Sequence, residues 1–212
     1  MREIFDDLKN TIWQDDRVLA FRRLAEEEGF DLHDRERFGN QEIGIKGFQL
    51  FKGKRGKRLK SVLYKTERNS SLKTRIYDYA YFGDSKTRTT TVIEFYLPQW
   101  NFSEMLIRPK SNLHKMKAFF GKQRMLFPEV AHFHKAYHIY APNAENLKYE
   151  LNEEFVDLMA EQKRIWMEAN GNFILFYIKR KPIPLGQLME TYEFAQDLLE
   201  VLIHGHSSEE YV

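Results

Sequence analysis

Lys73-Thr-Arg-Ile-Tyr-Asp-Tyr-Ala-Tyr-Phe82 and Thr87-Arg-Thr-Thr-Thr-Val-Ile-Glu-Phe-Tyr-Leu97 decide the fold class. Side chains on a strand alternate between two faces. In the first stretch Tyr77, Tyr79 and Tyr81 point one way, and Ile76, Asp78, Ala80 and Phe82 the other. In the second, Thr91, Ile93, Phe95 and Leu97 share a face opposite Val92, Glu94 and Tyr96. Both stretches are rich in β-branched and aromatic residues, which fit a pleated surface. Gly83-Asp84-Ser85-Lys86 joins them as a hairpin loop, and Pro98 closes the second strand.

Outward from this hairpin, Leu59–Tyr64 reads as a strand, and Ile43, Ile45 and Phe48 to Phe51 as another before it. Met105 to Arg108 adds a short strand, and Phe133 to Ala141 looks extended. Asn170-Gly171 supplies the positive φ of a type I′ turn, so Ile165–Glu168 and Phe173–Ile178 form a second hairpin. Helical periods appear at both ends. Ile4, Phe5, Leu8 and Ile12 share one helical face. Asp15 or Asp16 caps a second helix whose apolar side is Val18, Leu19, Phe21, Leu24 and Ala25, with Gly29 as its C-terminal stop. Two internal helices are predicted, one from Ser111 to Gly121 and one from Pro142 through Leu147, Leu151, Phe155 and Met159. Pro182 and Pro184 lead into a last amphipathic helix carrying Leu188, Tyr192, Ala195, Leu199 and Leu202. Strands joined by hairpins, without alternating βαβ units, predict an α+β fold with mostly antiparallel sheet. The expected organisation is a single domain: a helical N-terminal segment 1–37, a sheet-containing core 38–204 and a tail 205–212.

The chain has 212 residues, 42% hydrophobic and 30% charged. That is enough to bury a core of its own. It holds no cysteine, which excludes a disulfide framework, a thiolate metal site and a thiol nucleophile. No apolar run approaches the ~20 residues of a spanning helix, and charges interrupt the start of the chain as no signal peptide allows. These features predict a soluble, cytoplasmic protein.

Several segments taken in order resemble a bacterial family of uncharacterised proteins, a domain of unknown function. Its mark is a Phe-Asp-Tyr-x-Tyr strand followed by a Thr-rich strand, here Tyr77-Asp78-Tyr79-Ala80-Tyr81 and Thr89-Thr90-Thr91. Phe48-Gln49-Leu50-Phe51, Ile107-Arg108-Pro109, Phe119-Phe120-Gly121-Lys122-Gln123, Tyr137-His138-Ile139 and Glu168-Ala169-Asn170-Gly171 match further pieces over roughly residues 24–203. Tyr77 replaces the family's usual Phe, and Arg124 stands where an acidic residue is usual. Many such proteins carry transmembrane helices ahead of this region, which this sequence does not show. The resemblance implies fold boundaries and no activity.

Charge is distributed unevenly. Residues 46–124 hold 19 Lys/Arg against 5 Asp/Glu, a net of +14. The rest holds 14 against 26, a net of −12, which leaves the chain at +2. The densest basic run is Lys52, Lys54, Arg55, Lys57, Arg58 and Lys60, expected as an exposed, mobile loop dispensable for folding. With Arg75, Arg88, Arg108 and Lys110 it forms the candidate anion-binding set. The plainer reading is a solvated hairpin tip whose cations answer the acidic helices of the same chain. The alternating tyrosines, flanked by Arg75 and Arg88, are either a stacking platform for bases or a packed sheet face. His132, His134 and His138 share one face if that segment is a strand, and neutral imidazoles bind zinc or nickel. No His-Glu-x-x-His accompanies them. Asp78 and Glu94 offer a carboxylate pair for acid–base work, or each pairs with Arg75, Arg88 or a backbone N–H. Gly-x-Gly-x-x-Gly, P-loop and Gly-x-Ser-x-Gly patterns are absent, so no cofactor is expected.

The expected function is a non-enzymatic interaction module that offers a basic surface to nucleic acid, an acidic protein or a membrane surface, nucleic acid leading. The alternatives are a metal-assisted hydrolase built on the histidines, and a structural or self-assembling protein whose basic and acidic regions meet across a subunit interface.

Overall fold

The computed structural model describes residues 16–36, 47–67, 71–83, 85–110, 123–125, 133–142, 147 and 150–207. Among the described residues nine strands form one sheet in which every pairing is antiparallel. They are β1 (Asp31–Glu36), β2 (Arg55–Thr66), β3 (Lys73–Gly83), β4 (Lys86–Tyr96), β5 (Phe102–Pro109), β6 (Gln123–Met125), β7 (Tyr137–Ala141), β8 (Trp166–Gly171) and β9 (Phe173–Tyr177). The helices are α1 (16–28), α2 (Phe133–Ala136), α3 (Glu153–Glu161) and α4 (Leu188–Ser207). The fold is α+β.

The β3–β4 hairpin pairs as the alternation requires, with Tyr77 opposite Val92 and Asp78 opposite Thr91. The strand order is β1-β2-β3-β4-β9-β8-β5-β7-β6. The β8–β9 hairpin therefore lies between β4 and β5, which are neighbours in sequence. Residues 97–101 arch over its tip. Asn172 at that tip donates its amide to the carbonyls of Leu97, Pro98 and Trp100 at 3.3, 3.1 and 2.5 Å.

One sheet face carries the helices. Ile76, Ile93, Phe95, Ile107, Ile139, Met167, Ile174 and Phe176 pack there with Phe21 and Leu24 of α1, Phe155 and Met159 of α3, and Tyr192, Leu198 and Leu202 of α4. The helix α1 ends at Gly29, whose φ of 69° lets the Phe30 N–H return to the Ala25 carbonyl at 3.0 Å. Asn152 caps α3, its side chain accepting from the Phe155 N–H at 2.8 Å.

Several expectations are corrected. Phe48–Phe51 is a turn, not a strand, because all three of its large side chains fold onto one sheet face. Residues 55–60 belong to β2 and not to a loop. Asp31–Glu36, placed by the sequence reading in the helical N-terminal segment, is the edge strand β1. Phe133–Ala141 is a helical turn followed by a strand. The second internal helix is interrupted at Leu151-Asn152, where the α3 cap takes an extended conformation. Leu19 is 50% exposed, whereas Arg17 is buried in its place. Gly171-Asn172 forms the tight turn, one residue beyond Asn170-Gly171, since Asn170 already pairs with Phe173. Ile43, Ile45, the first N-terminal helix and the helix from Ser111 lie outside the described residues.

Candidate anion-binding face

The sheet face away from the helices is aromatic. Directly paired residues lie side by side on one face. One cross-strand row therefore reads Arg75, Glu94, Leu175, Glu168, Leu106, Tyr140. The adjacent row reads Tyr77, Val92, Tyr177, Trp166, and Arg108 lies opposite His138. Two carboxylates are buried in the first row. Glu94 accepts from Tyr77 Oη at 2.8 Å and pairs with the Arg75 guanidinium. Glu168 accepts from Tyr177 Oη at 2.6 Å and from the backbone N–H groups of Gln49 and Leu50 at 2.5 and 2.9 Å. Burial first, and then the adjacent carboxylate, pushes both phenols well above their ordinary pKa, so they stay protonated as donors.

Glu168 staples the turn 47–53 onto the sheet. Phe48, Leu50 and Phe51 cover Tyr79, Leu59 and Val62. The Phe51 and Tyr79 rings meet edge-on with centroids 4.9 Å apart. This docking sets Lys54 Nζ 5.0 Å above the Tyr81 ring.

Beyond the turn the face is cationic. Lys179 Nζ sits 4.2 Å from the Trp166 ring centroid, and the Arg108 guanidinium lies 5.9 Å from Trp166 and 5.1 Å from Tyr140. Arg108 also donates to Tyr140 Oη at 2.8 Å. Lys73 lies 5.2 Å from Tyr96, and Arg75 5.9 and 5.8 Å from Tyr64 and Tyr77. Such contacts place cations over electron-rich rings.

Lys179 and Arg108 share the Trp166 ring, and the charges of Arg180 and Lys54 act on Lys179 as well. Burial, and then the charges of Arg180, Arg108 and Lys54, lower the Lys179 pKa to about 8, opposed by Glu168. Lys179 and Arg180 occupy the middle of a turn closed by the Lys181 N–H on the Ile178 carbonyl at 3.3 Å. Arg180 holds φ 62°, a conformation that suits glycine at the third position of a turn. A side-chain-bearing residue there costs about 1–2 kcal/mol.

The predicted anion-binding residues separate. Lys54, Arg75, Arg88 and Arg108 share this face. Arg55, Arg58 and Lys60 pair with Phe82, Ala80 and Asp78 and so point with them to the helix side. Two β2 bulges, between Arg55 and Arg58 and between Lys60 and Leu63, break the alternation. Lys57 falls in the first bulge, and Lys52 and Lys110 are exposed at element ends. Asp78 and Glu94 lie on opposite faces and form no carboxylate pair. Asp78 is buried with Arg17, which also donates to Ile183 O at 2.9 Å, while Thr91 Oγ1 donates to Asp78 at 2.7 Å. His134 is helical and His138 is on β7, so the continuous strand required for a shared face does not form; His132 lies outside the described residues. No group of three or more metal-ligating side chains occurs among the described residues. Lys179, Arg180, Trp166 and Tyr140 were not signalled, because Lys179 and Arg180 lie in the acidic part of the sequence and only strand register brings them beside Arg108.

No protein-family model matches the chain, and no curated protein matches it. Among solved structures, the chain is similar to the mycobacterial trehalose monomycolate transport factor A, with a TM-score of 0.53 and 14% identity over 87% of this chain and 94% of that one. The likeness is one of fold. Among the described residues no helix is long and apolar enough to cross a membrane.

Proposed function

We propose that the chain is a non-enzymatic interaction module that presents the Lys54–Arg108–Lys179–Arg180 cluster to an anionic partner, with nucleic acid the leading candidate. The observation that carries this reading is that Lys179 and Arg108 share the Trp166 ring, where burial first, and then the charges of Arg180, Arg108 and Lys54, lower the Lys179 pKa to about 8. Like charges crowded on a partly buried face cost stability, and an anion relieves that cost. The surrounding rings add stacking surface for bases. Both buried carboxylates on this face are held by donors, which suits positioning and not proton transfer.

The test is titration with single-stranded RNA, with acidic peptide and with anionic vesicles between about 50 and 200 mM salt. RNA binding that weakens steeply with salt, and weakens further in Lys54→Ser/Lys179→Gln, is the expected result. Preference for vesicles or peptide would reassign the partner. Absence of binding to all three at low salt would overturn the reading.

A further inference from the structure

The helix side of the sheet holds a cavity of about 240 Å³ lined by Leu72, Leu97, Trp100, Leu199 and Ile203, with Glu67, Gln99, Gln196 and Glu200 completing it. Its walls come from three places. The α4 positions 196, 199, 200 and 203 form one helical stripe. The arch at 97–100 is held in place by Asn172 and by the Trp100 N–H on the Leu97 carbonyl at 3.1 Å. Glu67 and Leu72 meet where the Glu67 N–H donates to the Leu72 carbonyl at 2.9 Å. The Trp100 ring is itself steadied by stacking on Phe102, centroids 6.0 Å apart and planes 11° from parallel. The cavity is therefore built on fixed backbone.

We propose that this cavity is a second binding site, opposite in character to the cationic face, and that it takes an organic cation: an ammonium group on an apolar body of about six to ten heavy atoms. The apolar walls select the body. A cavity of about 150 Å³ lined by aliphatic and aromatic residues holds benzene, which sets the size. The charged lining residues select the head: among the described residues the only charged side chains lining the cavity are Glu67 and Glu200, both acidic. The negative field extends behind the lining, since the buried Tyr192 hydroxyl is pushed up to about 12 by burial and then by Glu67 and Glu28. Trp100 offers an indole, the best ring for an ammonium group. A carboxylate-headed body of the same size meets two like charges at the mouth.

Calorimetric titration of the full chain with hexyltrimethylammonium, hexanol and hexanoate tests this. The ammonium is expected to bind about tenfold or more tightly than the alcohol, a difference of about 1.4 kcal/mol, with the carboxylate weakest. Glu67→Gln/Glu200→Gln, at a half-buried and an exposed site, is expected to bring the ammonium down to the level of the alcohol. Leu199→Trp, which fills the cavity, is expected to abolish binding of both, and its folding is checked by circular dichroism. Equal affinity for ammonium and carboxylate, ammonium binding unchanged in the double glutamine variant, or no binding of any probe would overturn the proposal.

Discussion

The two faces of this sheet bury charge in different ways. On the helix face Asp78 meets a full counter-charge, Arg17, together with a threonine hydroxyl, and the arrangement is sealed at 4% and 3% exposure. On the other face Glu168 is held by a phenol and two backbone amides, and the cations nearby lie over rings beside one another. One face is closed by helices. The other is covered in part by a seven-residue turn, 47–53, and beside it keeps Lys179 and Arg108 together at the Trp166 ring. Where a fold leaves stability unclaimed, the residues responsible are the ones to test for binding.

The comparison is broken most severely at Arg17. Arg17→Met leaves Asp78 buried without its counter-charge and is expected to cost about 3–5 kcal/mol in urea unfolding. Adding Asp78→Asn should return part of that loss, and a cost below about 1 kcal/mol for the single variant would show the pair to be dispensable. Glu168→Gln comes next, at about 1–3 kcal/mol, because one amide oxygen replaces two acceptors. Hydrogen exchange at the Gln49 and Leu50 amides should accelerate, and unchanged exchange would mean that the apolar contacts of Phe48 and Phe51 suffice to hold the turn.

The cationic half should behave in the opposite sense. Arg180→Gly relieves the left-handed backbone and is expected to hold or raise stability, by up to about 1 kcal/mol, while reducing the salt dependence of polyanion binding by about one unit. A loss of stability would show that the guanidinium is held by internal contacts worth more than the strain. Lys179 gives the clearest sign. Its pKa falls from 10.5 to about 8 on folding, so the folded state binds fewer protons between those values. Stability should therefore rise as pH increases from about 8 to 10.5, with the penalty fully present below about 8. Lys179→Met should remove that rise and also weaken polyanion binding at neutral pH. As a baseline, Lys52→Ser should stay within about ±0.5 kcal/mol.

The β3–β4 hairpin was legible because eleven-residue strands with strict alternation leave one register. The tyrosines were thereby placed on one face with Asp78 on the other, whereas Glu94, read as a neighbour of Asp78, lies on the tyrosine face because the register sets it opposite Arg75. The basic run at 52–60 was legible as charge and not as position, since two bulges redirect successive side chains and a local kink has no signature in composition. Phe48, Leu50 and Phe51 looked like a strand because burial makes the same demand of a turn folded onto a sheet. Lys179 and Trp166 were hidden for a different reason: they become neighbours of Arg108 through pairing between distant strands. Arg17 was invisible because a buried arginine on an amphipathic helix reads as solvent-facing.

The position of the β8–β9 hairpin also bears on the order of assembly. The meander β1–β4 closes through short connections, whereas the Tyr96–Phe173 pairing joins strands far apart in sequence and requires a long loop to close. Until β8 and β9 enter, β4 and β5 stand apart beneath the 97–101 arch, each exposing a strand edge that another chain is able to add to. In the folded sheet, Asn172 on the three arch carbonyls holds the hairpin that covers those edges. A variant that frees the arch from Asn172 is therefore expected to leave those edges open longer during folding and to aggregate more readily.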